Sequence, residues 1–230
     1  MNSSSFNEDQ ALAFLQRRDL TAEMLTSLSR NPEAMKSRKV LLALIAHPHT
    51  PRQVSIPLLR RAFVFDLMQV TLTPAVAADV KRAAEDQILL RVEALSAGEK
   101  TTLAKRASGR VSAALLQENE GRVVAPALDN GHLTESLVIQ AMTRPRAPAV
   151  LFELVSAHPN WCQRPEVQLA LLRSENTPID KAKQFASHFS QSTLRDIVPE
   201  PRREELLPLG NPSSAVHPLK ELDFESGETE

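Results

Sequence analysis

Val40-Leu-Leu-Ala-Leu-Ile-Ala-His-Pro-His-Thr-Pro51 is an apolar run that breaks at His47-Pro48 and restarts at Thr50-Pro51. The same pattern returns in Val167-Gln-Leu-Ala-Leu-Leu-Arg-Ser-Glu-Asn-Thr-Pro178. At a constant offset of 127, the separation of Val40 from Val167, Leu42 falls on Leu169, Ala43 on Ala170, Leu44 on Leu171 and Thr50-Pro51 on Thr177-Pro178. The register persists, with Leu67 on Leu194 and Val70 on Ile197. Val111-Ser-Ala-Ala-Leu-Leu116 repeats the apolar run at an offset of 71, without its Thr-Pro. Matches held over that span read as a repeated folded unit, in which Leu44 and Leu171 are equivalent core positions.

Thr-Pro has a local meaning. A threonine hydroxyl at an N-cap accepts from an unpaired N–H of the first turn, and proline at the next position loses nothing, because its missing N–H had no partner there. Each Thr-Pro is therefore read as a helix start, at Thr50, Thr177 and Thr73-Pro74, with a further start at Thr134-Glu135. Thr50 to Gln53 and Ser96 to Glu99 have capping-box spacing. From Val76 to Leu95 the apolar residues Val80, Ala84, Ile88, Val92 and Leu95 recur every three or four positions, with charges opposite, which predicts an amphipathic helix and the longest in the chain. Alternation of period two is absent. Breakers divide the chain into about a dozen helices of about 8 to 18 residues, and Pro57 is expected to kink one of them or to mark a short 3₁₀ segment.

Short helices in series cannot each bury an apolar face alone; stacking neighbours solves this, and the expected fold is all-α, an α-solenoid of stacked short helices. The apolar run followed by Asn/His-Pro-x-Thr-Pro, seen at Ala46 to Pro51, Asp129 to Glu135 and Ser174 to Pro178, resembles the HEAT/armadillo-like α-helical repeat superfamily. It is most similar to the leucine-rich repeat variant type of bacterial repeat, over residues 20 to 198. The resemblance implies a superhelical array whose surface binds a partner. The iron–sulfur module sometimes joined to variant repeats has no counterpart here, since one cysteine cannot ligate a cluster.

Composition bounds the rest. With 230 residues, 42% hydrophobic and 24% charged, the chain has globular proportions and is not disordered throughout. Cys162 is the single cysteine, so no intrachain disulfide and no Cys-x-x-Cys metal or redox pair exists, and a reducing cytoplasm is the expected location. Met1 to Gln10 is polar, and no apolar run approaches the ~18 residues of a membrane span, so a soluble, unprocessed protein is expected. From Pro199 onward eight acids face three bases, a balance of -5, which leaves +4 for residues 1–198. Five prolines fall in the same stretch, and two parts are expected: a helical-repeat domain at 1–198 and a disordered, Pro-rich acidic tail at 199–230.

Signals for chemistry are sparse. Gly-x-Ser-x-Gly, His-Glu-x-x-His and the phosphate-cradling P-loop do not occur, so no catalytic activity and no cofactor are expected. His47-Pro-His49 reads as a helix C-terminus rather than a metal pair, and Trp161, between His158 and Cys162, as a core or groove anchor. Basic doublets recur at Arg17-Arg18, Arg60-Arg61, Lys81-Arg82 and Lys105-Arg106. If inner helices line a groove, Arg60, Arg61, Lys105, Arg106 and Arg110 make it basic and suited to an acidic peptide, with Trp161 as a further partner-binding residue and Phe63 and Phe65 in the core. The expected function is a non-catalytic protein-interaction or scaffold module. The alternative is a nucleic-acid-binding or base-excision HEAT-like protein, which the mild charge and the lack of any Tyr or second Trp disfavour. An assembly or cofactor-attachment chaperone would share the fold. The tail, with Leu219, Leu222 and Phe224 among acids, has the chemistry to dock on the basic groove or on a neighbouring copy.

Overall fold

The computed structural model describes residues 7–17 and 19–206. Among them there are α-helices of 7 to 12 residues, two 3₁₀ turns at Ala34–Lys36 and Val92–Ala94, and no strand. The first helices are α1 (Glu8–Leu15), α2 (Ala22–Ser29), α3 (Arg38–Ala46), α4 (Arg52–Leu59), α5 (Val64–Leu72), α6 (Ala78–Leu89), α7 (Ala97–Arg106) and α8 (Gly109–Leu115). They are followed by α9 (Gly121–Leu128), α10 (Glu135–Met142), α11 (Ala149–Ala157), α12 (Pro165–Arg173), α13 (Ile179–Ala186), α14 (Gln191–Ile197) and α15 (Glu200–Leu206). As periodicity predicts, α6 is the longest of the helices described and buries Val80, Ala84 and Ile88, but it ends at Leu89; Val92 falls in the following 3₁₀ turn, which Leu95 ends in extended backbone.

The helices pack in two files. Successive contacts run α1, α3, α5, α7, α9, α11 on one side and α4, α6, α8, α10, α12, α14 on the other, with α13 touching α12 and α15. The substantial contacts join elements one or two places apart in the chain, so each helix buries its apolar face against near sequence neighbours. One hydrophobic core runs the length of the body, from Ala11 to Leu206.

Side chains stitch consecutive units. Helix C-termini leave carbonyls without intrahelical partners, and a residue some 23 to 33 positions further on fills them. Arg61 Nη2 donates to Met35 O at 2.7 Å, Arg91 donates to Ala62 O and Arg60 O, and Trp161 Nε1 donates to Leu128 O at 2.8 Å. The buried Asn130 shares the protons of its Nδ2 among Ala104 O, Ala107 O and Ser112 Oγ.

Leu44 and Leu171 are both fully buried, as are Val40, Val167 and, in the weaker third copy, Val111 and Leu115. The Thr-Pro links differ from expectation. Pro51 and Pro178 are the N-caps, and the hydroxyls of Thr50 and Thr177 donate backward, each at 2.7 Å, to Leu44 O and Leu171 O. The hydroxyl thus closes the helix behind it: with proline itself at the N-cap, the threonine stands outside the first turn of the next helix, and its O–H reaches a carbonyl that the preceding C-cap N–H holds only at 3.2–3.4 Å. Thr73 likewise closes α5 through Gln69 O, while Ser96 and Glu99 form the expected capping box. The offset of 127 equates local geometry rather than place in the stack, since α3 belongs to one file and α12 to the other. A match that preserves the file joins α3 to α11: each ends in His-Pro, and His47 Nδ1 and His158 Nδ1 accept the N–H two residues on.

Two further expectations meet the structure. Pro57 lies within a helix, as expected, and the segment is α-helical through Leu59 rather than 3₁₀. The stretch 199–206, expected to belong to a disordered tail, contains helix α15, whose buried Arg202 donates to Thr177 O at 2.8 Å and ties it to the α12–α13 link. Prolines are tolerated in a first turn, where no N–H is needed. The remainder of the tail, 207–230, lies outside the described residues, as does Arg18.

Candidate functional site

Three recesses, each sharing lining residues with the next, follow the links between α5 and α13. The first, about 510 Å³, is walled by Met68, Gln69 and Leu72 of α5, Lys105 and Arg106 of α7, and Asn130, Gly131 and His132. The second, about 410 Å³, shares Asn130 and Gly131 with it and continues over Leu133, Asn160, Trp161, Gln163 and Arg164. The third, about 520 Å³, shares Gln163 with the second and ends on Cys162, Gln184, Phe185, His188 and Phe189. Together they make a trench whose wall residues come from helix ends and links spaced along the files.

The trench has a chemical gradient. At the α7 end Lys105 and Arg106 are exposed in the last turn, where their charge suits the helix dipole, and among the described residues they make no ion pair. In the middle, Arg164 lies 4.8 Å over the Trp161 ring and pairs with Glu135 at 2.7 Å. Asp129, the carboxylate on the wall, faces His158 Nε2 at 3.2 Å. The α13 end is formed by the buried Phe185, the half-buried Phe189 and the half-buried Cys162, with amides of Gln168 and Gln184. Gln168 is fixed there by donating to Cys162 O, and its Oε1 lies 3.2 Å from His188 Nδ1.

The structure brings together only part of the basic set expected from sequence. Arg61 spends its guanidinium on Met35 O and lines a different, small recess of about 120 Å³ with Arg38, Phe63 and Asp66, and Arg60 precedes it at the end of α4. Neither residue lines the trench. Arg110 is held by Asp86 at 2.7 Å and Glu85 at 3.3 Å, and the bond to Asp86 chiefly holds its charge firmly on. Trp161 is 6% exposed with its N–H spent on Leu128 O, so it forms the floor rather than a free anchor. Phe63, expected in the core, is 64% exposed. It is the residue before α5, in extended backbone, so the periodicity of the helix does not govern it; Arg38 covers one face at 5.1 Å while gripping Asp66 through two bonds.

Sequence reasoning missed Met68, Gln69, His132, Gln163, Gln184 and His188. No local signal marks them, because the trench exists only once links from successive units align. The sequence does hold one pointer to that alignment, the shared His-Pro at the ends of α3 and α11. His47 is the C-cap of α3, and its ring meets that of His49 edge to face at 5.6 Å. Among the described residues no group of three or more His, Cys, Asp or Glu side chains could hold a metal ion, and no helix is long and apolar enough to cross a membrane. Set against protein-family models, curated proteins and solved structures, the chain matches none.

Proposed function

We propose that the protein is a non-catalytic scaffold, an α-solenoid of the HEAT-like kind, that binds an extended segment of another protein along the trench. The observation that carries this reading is the succession of three recesses with shared lining residues, with Lys105 and Arg106, free of ion pairs among the described residues, at one end and Phe185 and Phe189 at the other. Stacked units offer long surfaces rather than closed cavities, and an extended chain matches such a surface better than a compact ligand does. The two-file packing supports the solenoid part of the reading. An acidic residue in the ligand would meet Lys105 and Arg106 at the rim, where charge sets on-rate and selectivity more than affinity, and an apolar residue would anchor against the half-buried Phe189, beside the buried Phe185.

The test immobilises the full chain and a Lys105→Glu/Arg106→Glu variant in native lysate, with and without nuclease. Proteins retained after nuclease by the parent and lost from the variant support the scaffold reading. Capture that vanishes with nuclease overturns it in favour of nucleic acid.

A further inference from the structure

The chain leaves the described body beside one end of the trench. Helix α15 packs on α13, and α13 carries Gln184 and Phe185 of the apolar end. Beyond Leu206 the sequence continues for residues 207 to 230, which at ~3.3 Å per extended residue could reach ~80 Å. The order of its chemistry follows the order of the trench. Leu219, Leu222 and Phe224 come first, and Glu225, Glu228 and Glu230 follow. Read from α13 toward α7, the trench offers Phe185, Phe189 and Cys162 first, then Arg164, then Arg106 and Lys105. Neighbouring packed helices lie about 8–10 Å apart, so about three spacings, ~24–30 Å, separate α13 from α7, and the eight steps from Leu222 to Glu230 span up to ~26 Å; a segment anchored by Leu222 at the apolar end can therefore bring its last acids to the basic one.

We propose that residues 219–230 occupy this trench in cis, with Leu222 and Phe224 against Phe185 and Phe189 and the terminal acids facing Lys105 and Arg106. The proposal rests on the trench being a docking face, and it makes the tail the competitor that any outside ligand must displace. A tether that supplies an effective concentration on the order of 1 mM keeps even a contact of about 0.1 mM affinity roughly nine-tenths closed. Charge complementarity selects this occupant over a neutral one: segment 207–230 holds five acids and one base, Lys220.

Cys162, the only thiol, lines the apolar end and reports occupancy in the intact chain. The experiment measures the rate at which a small aromatic disulfide reagent modifies Cys162 in dilute full-length protein. Closure at the level above slows modification about ten-fold relative to the open trench. Leu222→Ser/Phe224→Ser should therefore raise the rate about ten-fold, as should Lys105→Glu/Arg106→Glu, and adding Glu228→Lys/Glu230→Lys to the latter should slow it again. None of these changes removes a contact made within the described body by its buried residues, so folding is preserved, and circular dichroism checks it. Equal rates in all four chains overturn the proposal. So does protection that grows with protein concentration, which would place the tail on a second copy. Neither result bears on capture of an outside partner, which the lysate experiment reads separately.

Discussion

At the scale of single residues the most informative group is a hydroxyl. Thr177 is buried and donates to Leu171 O, which also accepts the Ser174 N–H at 3.2 Å, so Thr177→Val, which keeps the shape and deletes the stronger of the two donors, should cost about 0.5–1.5 kcal/mol. Thr177→Ser should retain most of that stability in urea unfolding. Amide exchange should quicken at the end of α12 rather than at the start of α13, the reverse of what an N-capping hydroxyl would give. His47 supplies a pH dependence. Burial first, and then the neighbouring His49, hold its pKa below the ordinary imidazole value, and its Nδ1 accepts the His49 N–H only while unprotonated. As pH falls below about 6.5 the unfolded chain takes up a proton that the folded chain resists, so stability drops with falling pH; above that value the group contributes no slope. His47→Asn keeps an acceptor, as Asn31 and Asn130 do in comparable turns, and cannot titrate. The difference in urea midpoint between parent and variant should therefore widen in the variant's favour from about pH 7.5 to about pH 5.

At the scale of elements, two glycines separate propensity from packing. A Cβ on Gly109, at the start of α8, would lie 2.2 Å from His132 O, so the α9–α10 link or α8 itself must move. A Cβ on Gly98, in the first turn of α7, meets nothing within 4 Å. Gly109→Ala should lower stability by about 1–3 kcal/mol through overpacking, whereas Gly98→Ala should be neutral or raise it by up to about 1 kcal/mol; thermal melts of both variants decide. The helices themselves were legible in the sequence because an amphipathic period needs only local information, and Leu44, Leu171, Val80 and Ile88 occupy the buried positions it predicts. The trench was not, because its walls join residues from links whose own sequence has no period and whose neighbours lie roughly one unit, some 23 to 33 residues, away. Phe63 was misplaced for a related reason: it sits one residue before α5, where the helical pattern stops applying. Helix α15 was missed because Pro199 and Pro201 read as breakers and the acidic count concealed Arg202, the residue that buries itself.

At the scale of the whole molecule, the proposed solenoid carries an expectation of local cooperativity, because the substantial contacts among the described residues join elements one or two places apart. Among the described residues the side-chain bonds between successive helix pairs reach no further than the 33 residues between Leu128 and Trp161, so if the body is a solenoid, its stability should approximate a sum of unit and interface contributions. Leu44 in α3 and Leu171 in α12 test this from opposite ends of the stack, since each is fully buried in the same kind of apolar run. Each change to Ala removes the same atoms and should cost roughly 2–5 kcal/mol by cavity formation. In a body that unfolds as one unit, both variants would lower exchange protection everywhere by the same amount. In a body that unfolds by segments, Leu171→Ala should speed amide exchange across α11 to α15 while α3 to α5 keep the parent's protection, and Leu44→Ala should do the converse. The two costs should also add in the double variant to within about 0.5 kcal/mol, because the sites share no contact. Native-state hydrogen exchange on the three chains measures both quantities; uniform loss of protection in either single variant would show that the two files behave as one cooperative globule.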